Sequence, residues 1–226
     1  KAKNSAQGAG CLNNIRQFCL ANALYANDHD GQCVPLIEIN RRTGARRVWM
    51  SNMAFRKLIG YDNKGNSRYQ TPTDFRCPAD TQIWRPSQYA FSNNPNLPDK
   101  DNRGTLTSYS YNFEDWFPSD GRGWSLASKD HSGHRFSAVR EPSGKLIFHD
   151  GHDWWSRWKG ANYKSGWDKL GQNGSVQAYK NVGNGGPTLY RHNEGAIIGF
   201  YDGHAERMAK EKIWIAEHFN SRPKQP

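Results

Sequence analysis

The first thirty residues have the apolar spacing of an amphipathic helix. Apolar side chains recur every three or four residues between positions 5 and 27, whereas Asn13, Arg16 and Gln17 lie largely outside the apolar stripe. The stripe consists of Cys11, Leu12, Ile15, Phe18, Cys19 and Ala23. A polar run ending in Gly31 follows, and glycine suits the left-handed position that ends many helices. The pattern predicts a helix over residues 5–27.

Beyond Pro35 the helical spacing gives way to short segments. We expect a second helix at 49–59 capped by Ser51, and a last one at 210–219. Between them, short apolar runs predict strands at 73–76, 108–112, 145–149, 196–201 and 205–208. Asp202-Gly203 joins the last two runs and predicts a two-residue hairpin turn.

This order of elements predicts an α+β fold in a single domain. The domain spans residues 1–226, with a helical stem at 1–31 and a head of sheet and loops at 32–226. Polar segments rich in Gly, Asn and Asp, such as 92–105 and 160–186, predict long irregular loops.

Composition adds two expectations about the core and the surface. Apolar residues make up 35% of the chain but aromatic residues reach 13%, and one buried aromatic ring removes about 150–250 Å² from water. We therefore expect a compact core rich in aromatic side chains. The net charge of +10 fits either a basic soluble surface or attraction to anionic polymers. No zinc-finger, recognition-helix or RNA-binding motif is present, so we expect no nucleic-acid partner.

The cysteine count predicts disulfides in an oxidising compartment. There are four cysteines and no Cys-x-x-Cys pair: Cys11, Cys19, Cys33 and Cys77. Cys11 and Cys19 would lie about 12 Å apart on one helix, too far for a bridge that needs Cα atoms within roughly 7 Å. Two pairings remain, and we favour Cys11–Cys77 with Cys19–Cys33 because Cys33 follows the helix end closely. Four unbridged buried thiols are the remaining alternative.

No apolar run in the chain reaches the roughly 20 residues that a transmembrane helix needs. The chain also carries no initiator methionine and no signal peptide. It opens at Lys1 in a polar helical pattern, so we expect a processed or truncated part of a longer protein.

Several short motifs occur in a fixed order along the chain. They are CLNNIRQ at 11–17, YANDHDG at 25–31, FRCP at 75–78, SYSYN at 108–112, the segment from Pro142-Ser143 to Asp150, and His-x9-Asp-Gly at 192–203. Together they resemble the prepilin-type, type II secretion G-like pseudopilins that carry a His-x9-Asp-Gly processing-associated domain. The resemblance covers residues 5–208, and its family motif is formed by His192, Asp202 and Gly203.

The resemblance implies a pilin-like fold, in which an N-terminal amphipathic helix packs on a small antiparallel sheet with long loops. It implies a non-catalytic structural subunit, whose partners are copies of itself and sister pseudopilins. An apolar helix preceding Lys1 would anchor the intact protein to the inner membrane, with the head periplasmic or at the cell surface. Related major pseudopilins use calcium to order a loop, so calcium is the cofactor that the resemblance leaves open.

Two groups of residues are candidate metal sites. A tight hairpin could bring His192, Asp202 and His204 together, and two imidazoles with a carboxylate suit zinc. The alternative, which we favour, is that Asp202-Gly203 serves turn geometry and His192 caps a loop. Residues 27–31 are similar to the start of a calcium loop, but no Glu stands at the required distance and a helix-ending turn is the better interpretation.

A dense polar and aromatic stretch is the candidate ligand-binding surface. It comprises Asp150, His152, Trp154, Trp155 and Trp158, since Trp faces stack on sugar rings while Asp and His bind hydroxyls. This predicts an alternative function, a secreted carbohydrate-binding module with a polysaccharide partner. The simpler interpretation, which we favour, is an aromatic cover over the sheet.

The sequence gives little support to an enzyme. No nucleophile elbow, phosphate-binding loop or His-Glu-x-x-His motif is present. A carboxylate pair among Asp150, Asp153 and Asp168 has no supporting spacing. We expect no catalytic activity.

Overall fold

The computed structural model describes residues 2–39, 46–60, 76–79, 108–112, 135–151, 155–156, 161–163 and 188–219. The predicted strand at 73–76 lies outside these residues except for Arg76, and so do the long loop at 92–105 and most of the loop at 160–186.

The stem is one continuous helix, α1, at Ala2–Asp28, which confirms the predicted helix and extends it slightly at both ends. Ile15 and Phe18 are fully buried on its inner face, whereas Leu20 on the outer face is 59% exposed. Gly31 ends the helix as predicted, with a φ of 77° and an N–H that donates to the Ala26 carbonyl at 2.8 Å.

A small hairpin and a short helix follow. Strands β1 (Ile37–Ile39) and β2 (Arg46–Val48) pair antiparallel, and a single turn of 3-10 helix leads into α2 at Met53–Leu58. The predicted Ser51 cap is wrong, because Ser51 lies inside that turn. The cap is Asn52, whose side-chain oxygen accepts the Phe55 N–H at 2.9 Å.

In the part of the chain that the structure describes, the main sheet has five strands in the order β5-β3-β4-β6-β7. Only β3 and β5 run parallel, and the other neighbours are antiparallel. The strands are β3 (Tyr109–Asn112), β4 (Leu146–Asp150), β5 (Trp155–Ser156), β6 (Gly195–Phe200) and β7 (Ala205–Ala209). The four strands predicted beyond residue 100 are confirmed to within one residue at each end, and the α+β class is confirmed.

The tight two-residue turn lies at the other end of β6 from the one predicted. The β6–β7 loop has four residues, 201–204, with Gly203 at a φ of 94° and its N–H donating to the Phe200 carbonyl at 3.1 Å. The two-residue turn is Asn193-Glu194, where both residues have positive φ values of 50° and 58°. His192 and Gly195 exchange backbone hydrogen bonds of 3.0 and 3.1 Å across it.

The last predicted helix is wrong in its length. The chain forms two four-residue segments, α3 (Lys210–Ile213) and α4 (Ala216–Phe219). They are separated at Trp214, whose ψ of 58° is not helical.

The core lies between α1 and the sheet and is rich in aromatic rings, as composition predicted. Phe18 on α1 contacts Trp49, Tyr109 and Phe148 with ring centroids 5.4 to 5.8 Å apart. A smaller apolar cluster covers the opposite face of the sheet with residues of α3 and α4. Both β4 and β6 are consequently buried along their whole length.

The helix approaches the sheet most closely at Gly199 of β6. A Cβ at this position would collide with Cys19 Sγ and lie 2.6 Å from Ile15 Cγ2. Among the described residues, no helix combines the length and apolar character needed to cross a bilayer.

Candidate functional site

A buried group of sulfur, carboxylate and imidazole side chains lies beneath the first half of α1. It consists of Cys11, Cys77, Asp150 and His192, which we call the Cys–Asp–His cluster. One ligand atom from each residue lies within 4.8 Å of the others, and all four residues are buried. Four segments that are distant in sequence therefore meet at one point.

A disulfide between Cys11 and Cys77 joins α1 to the segment 76–79, with Cα atoms 5.1 Å apart. This confirms the first predicted pair. The predicted Cys19–Cys33 bridge is wrong, since both residues are buried thiols and are not disulfide-bonded. The reason is the direction of Cys19, whose sulfur faces Gly199 of β6. Burial also raises the pKa of the Cys19 thiol, which makes it unreactive.

Asp150 ends β4 and is the carboxylate of the cluster. Its Oδ2 accepts the Ile197 N–H at 2.7 Å and lies 3.3 Å from His192 Nε2. Its Oδ1 lies 3.6 Å from the Arg191 guanidinium and has no hydrogen-bond partner among the residues that the structure describes. Asp150 is completely buried, so these contacts must compensate its charge.

Arg191 supplies the compensating positive charge at the edge of the cluster. Its two terminal nitrogens donate to the Ser108 and Gly151 carbonyls, each at 2.9 Å. A side chain at Gly151 would collide with Ser110 Oγ, so glycine is needed where the chain passes β3. The guanidinium is thus held in place by two backbone acceptors and one carboxylate.

His192 connects the cluster to the turn before β6. Its Nε2 lies 3.4 Å from Cys77 Sγ, and its Nδ1 faces Gly8 of α1, where an added Cβ would be 3.7 Å away. Arg207 of β7 donates from Nε to the His192 carbonyl at 2.7 Å. The imidazole therefore sits between helix, disulfide and carboxylate in a fixed position.

The structure does not bring His192 together with Asp202 and His204. His192 lies before the start of β6, whereas Asp202 and His204 lie after its end, and the strand spans roughly 17 Å. Asp202 and His204 contact each other at the hairpin tip, with side chains 33% and 42% exposed, and the His204 ring stacks on Phe200. The predicted metal trio is therefore not assembled. Asp202 instead accepts the His204 N–H at 3.1 Å, which matches the turn role that we favoured.

Of the five residues of the predicted carbohydrate surface, only Asp150 has a side chain that the structure describes. Asp150 faces the buried cluster and not solvent, so its proposed contact with sugar hydroxyls is wrong. Trp155 contributes backbone to β5, and His152, Trp154 and Trp158 lie outside the described residues.

The calcium-like run ends α1 as a turn. Asn27 donates to Asp28 Oδ1 at 3.2 Å, and Asp30 adopts a left-handed φ of 52°.

A buried histidine–serine pair was not predicted. His149 Nε2 is hydrogen-bonded to Ser156 Oγ, and Nδ1 lies 2.8 Å from the Asp150 carbonyl. Burial lowers the pKa of His149 to about 4. Both residues are fully buried, so the pair links β4 to β5 and presents no nucleophile to solvent. Sequence spacing gave no indication of it, because it depends on β3 lying between the two strands.

No family model, curated protein or solved structure matches this chain significantly. The family resemblance therefore depends on the motif residues themselves and on the positions that they occupy in the fold. Arg191, which adjoins the His-x9-Asp-Gly motif, is the residue of the site that sequence reasoning missed.

Proposed function

We propose that this chain is the head domain of a pseudopilin-like structural subunit in a type II secretion or pilus-like assembly. One observation carries the proposal. Motif residues that were selected from sequence alone, and that are spread over about 180 positions, meet in the Cys–Asp–His cluster.

Each member of the cluster comes from a different motif. Cys11 belongs to CLNNIRQ, Cys77 to FRCP, Asp150 ends the Pro-Ser segment, and His192 begins His-x9-Asp-Gly. A set of chance matches would have no reason to be adjacent in the fold. Their convergence supports one ancestral structural element shared with the family.

A further motif, SYSYN, contacts the same core through two tyrosine hydroxyls. Asn14 of CLNNIRQ donates to the Tyr109 hydroxyl of SYSYN at 3.2 Å. In the same strand the Tyr111 hydroxyl donates to the Val34 carbonyl at 3.1 Å, just past the YANDHDG turn. These bonds fix the middle of α1 and the segment after its end to strand β3.

The geometry of α1 fits a pilin-like stem. Residues 3–6 are exposed, whereas Cys11, Ile15 and Phe18 are buried against the sheet. The first turn of the helix is therefore exposed to solvent and the later turns are packed, as a subunit needs if its stem joins a filament and its head stays outside.

The roles of the motif residues are structural in this proposal. His192 locks the start of β6 to the helix and disulfide, and Asp202 and Gly203 form the turn at its other end. The subunit has no catalytic task. Its partners are copies of itself and sister pseudopilins, and the disulfide suits a periplasmic or surface location.

Mass spectrometry of the protein extracted from its native cells tests this proposal. It predicts an N-methylated residue followed by about 20 apolar residues before Lys1, and recovery in the membrane fraction. A matched strain in which that segment is replaced by a cleavable signal peptide should release the head in soluble form. A mature N-terminus at or near Lys1 in the native protein would overturn the pseudopilin assignment.

A further inference from the structure

We propose that the Cys–Asp–His cluster, once the Cys11–Cys77 disulfide is reduced, is a binding site for one zinc ion. Cys11, Cys77, Asp150 and His192 would be its four ligands. This inference does not depend on the proposed function, since it uses only the side chains that meet beneath α1.

The geometry already approaches that of a tetrahedral site. Zinc holds thiolates at about 2.3 Å and imidazole at about 2.0–2.1 Å, which places neighbouring ligand atoms roughly 3.3–3.8 Å apart. His192 Nε2 lies 3.4 Å from Cys77 Sγ and 3.3 Å from Asp150 Oδ2. With all four ligand atoms within 4.8 Å of one another, small side-chain rotations suffice once the sulfurs separate.

The charges at the site balance when a divalent cation binds. Two thiolates and the Asp150 carboxylate carry three negative charges, and a buried set of this kind is strongly unfavourable without compensation. Zinc supplies two positive charges, and the Arg191 guanidinium, 3.6 Å from Asp150 Oδ1, supplies the third. Zinc and thiolate are also a preferred pairing of metal and ligand.

The ligands are held from outside as metal ligands usually are. The Ile197 N–H orients the Asp150 carboxylate at 2.7 Å. The Arg207 side chain fixes the His192 backbone at 2.7 Å. Cys11 is carried by a long helix and His192 by a tight turn, so both ligands come from hydrogen-bonded backbone.

Disulfide and metal are alternative states of the same residues. A dithiol reductant transfers two electrons and two protons to the S–S bond, which gives two thiols on the protein and a disulfide on the reductant. Zinc binding then releases both thiol protons to solvent. When zinc is present, reduction of this bond therefore creates a metal site. When zinc is absent, reduction leaves two buried thiols.

Metal titration of the reduced protein tests the proposal. The protein carries Cys19→Ala and Cys33→Ala so that only two thiols remain, and a phosphine reduces the disulfide while taking up the oxygen of water. We expect one equivalent of Co²⁺ to bind with the absorption of a tetrahedral thiolate complex, and zinc to displace it. The oxidised protein should bind neither ion at this stoichiometry.

Matched variants identify the ligands. Asp150→Asn and His192→Gln should each weaken zinc binding at least tenfold, whereas a control with Asp202→Asn and His204→Gln should bind as the parent does. Cys77→Ser, which cannot form the disulfide, should keep a weaker complex with reduced thiolate absorption even if other variants fold poorly. Absence of stoichiometric binding to the reduced parent, or equal affinity in the ligand variants and the control, would overturn the site.

Discussion

Two histidine–carboxylate pairs stand at opposite ends of strand β6 and differ almost entirely in their surroundings. His192 and Asp150 are buried with Arg191 and a disulfide, whereas His204 and Asp202 are partly exposed at a hairpin tip. Exposed pairs contribute about 0–1 kcal/mol because water screens them. A buried carboxylate that loses its partners leaves an uncompensated charge. The same residue types therefore hold the fold together at one end of β6 and shape a turn at the other.

The largest expected effect comes from neutralising the buried carboxylate. Asp150→Asn should lower the free energy of unfolding by about 3–5 kcal/mol, because it removes one partner of the buried ion pair with Arg191. Urea unfolding of the oxidised protein measures this change.

The matched control for that change is Asp202→Asn at the exposed end. It should alter the unfolding free energy by no more than about 1 kcal/mol, mostly through the turn bond to the His204 N–H. If the two substitutions proved equally costly, burial could not be what distinguishes the two pairs.

The next effect is a loss of stability in mild acid caused by His149. Its pKa is lowered to about 4 by burial, whereas in the unfolded chain it returns to about 6.5. Between these values the unfolded chain binds a proton that the folded protein does not, so stability falls as pH drops from about 6.5 to about 4. The loss from this group is on the order of 3 kcal/mol.

Unfolding curves across that pH range isolate the contribution of His149. His149→Asn should reduce the pH dependence of the unfolding free energy relative to the parent. His204→Asn at the exposed hairpin tip should leave that dependence unchanged. If the unfolding free energy of the His149 variant fell with pH as steeply as that of the parent, other groups would be responsible for the acid sensitivity.

A third comparison is between Gly199, in the packed middle of β6, and Gly203, in the turn that follows the strand. Gly199→Ala places a methyl group against Cys19 and Ile15 on α1, and should cost about 2–3 kcal/mol because helix and sheet must move apart. Gly203→Ala meets no atom of the described residues within 4 Å and should cost about 1 kcal/mol, through its left-handed backbone. Thermal unfolding of both variants provides the comparison, and a larger loss at Gly203 would contradict the close packing of α1 on β6.

Local patterns in the sequence predicted the helices and strands of this fold better than the contacts between them. The α1 stripe and four strands follow from side-chain spacing within single segments, and the Cys11–Cys77 bridge was correctly inferred. The Cys19–Cys33 bridge was not, because nothing local indicates that Cys19 faces Gly199 on a strand 180 residues later.

The Cys–Asp–His cluster shows more clearly that local sequence patterns do not predict long-range contacts. His192 was selected as a candidate ligand with partners that follow it in sequence, whereas in the fold it lies next to Asp150 on strand β4. That contact depends on β4 lying next to β6, which sequence spacing does not reveal. Asp150 was likewise selected as a polar candidate, yet its burial depends on α1 covering the end of β4.

The smallest expected effect concerns the turn that holds His192 in place. Glu194 adopts a left-handed φ of 58°, where a side chain costs about 1–2 kcal/mol and glycine almost nothing. Glu194→Gly removes an exposed ion pair with Lys210 at 3.0 Å, which is worth little, so the unfolding free energy should rise by about 0.5–1 kcal/mol. Asn193→Gly is the control and should change it less, since Asn tolerates this conformation. A Glu194→Gly protein less stable than its parent in urea would show that the Lys210 pair, and not backbone strain, dominates at this turn.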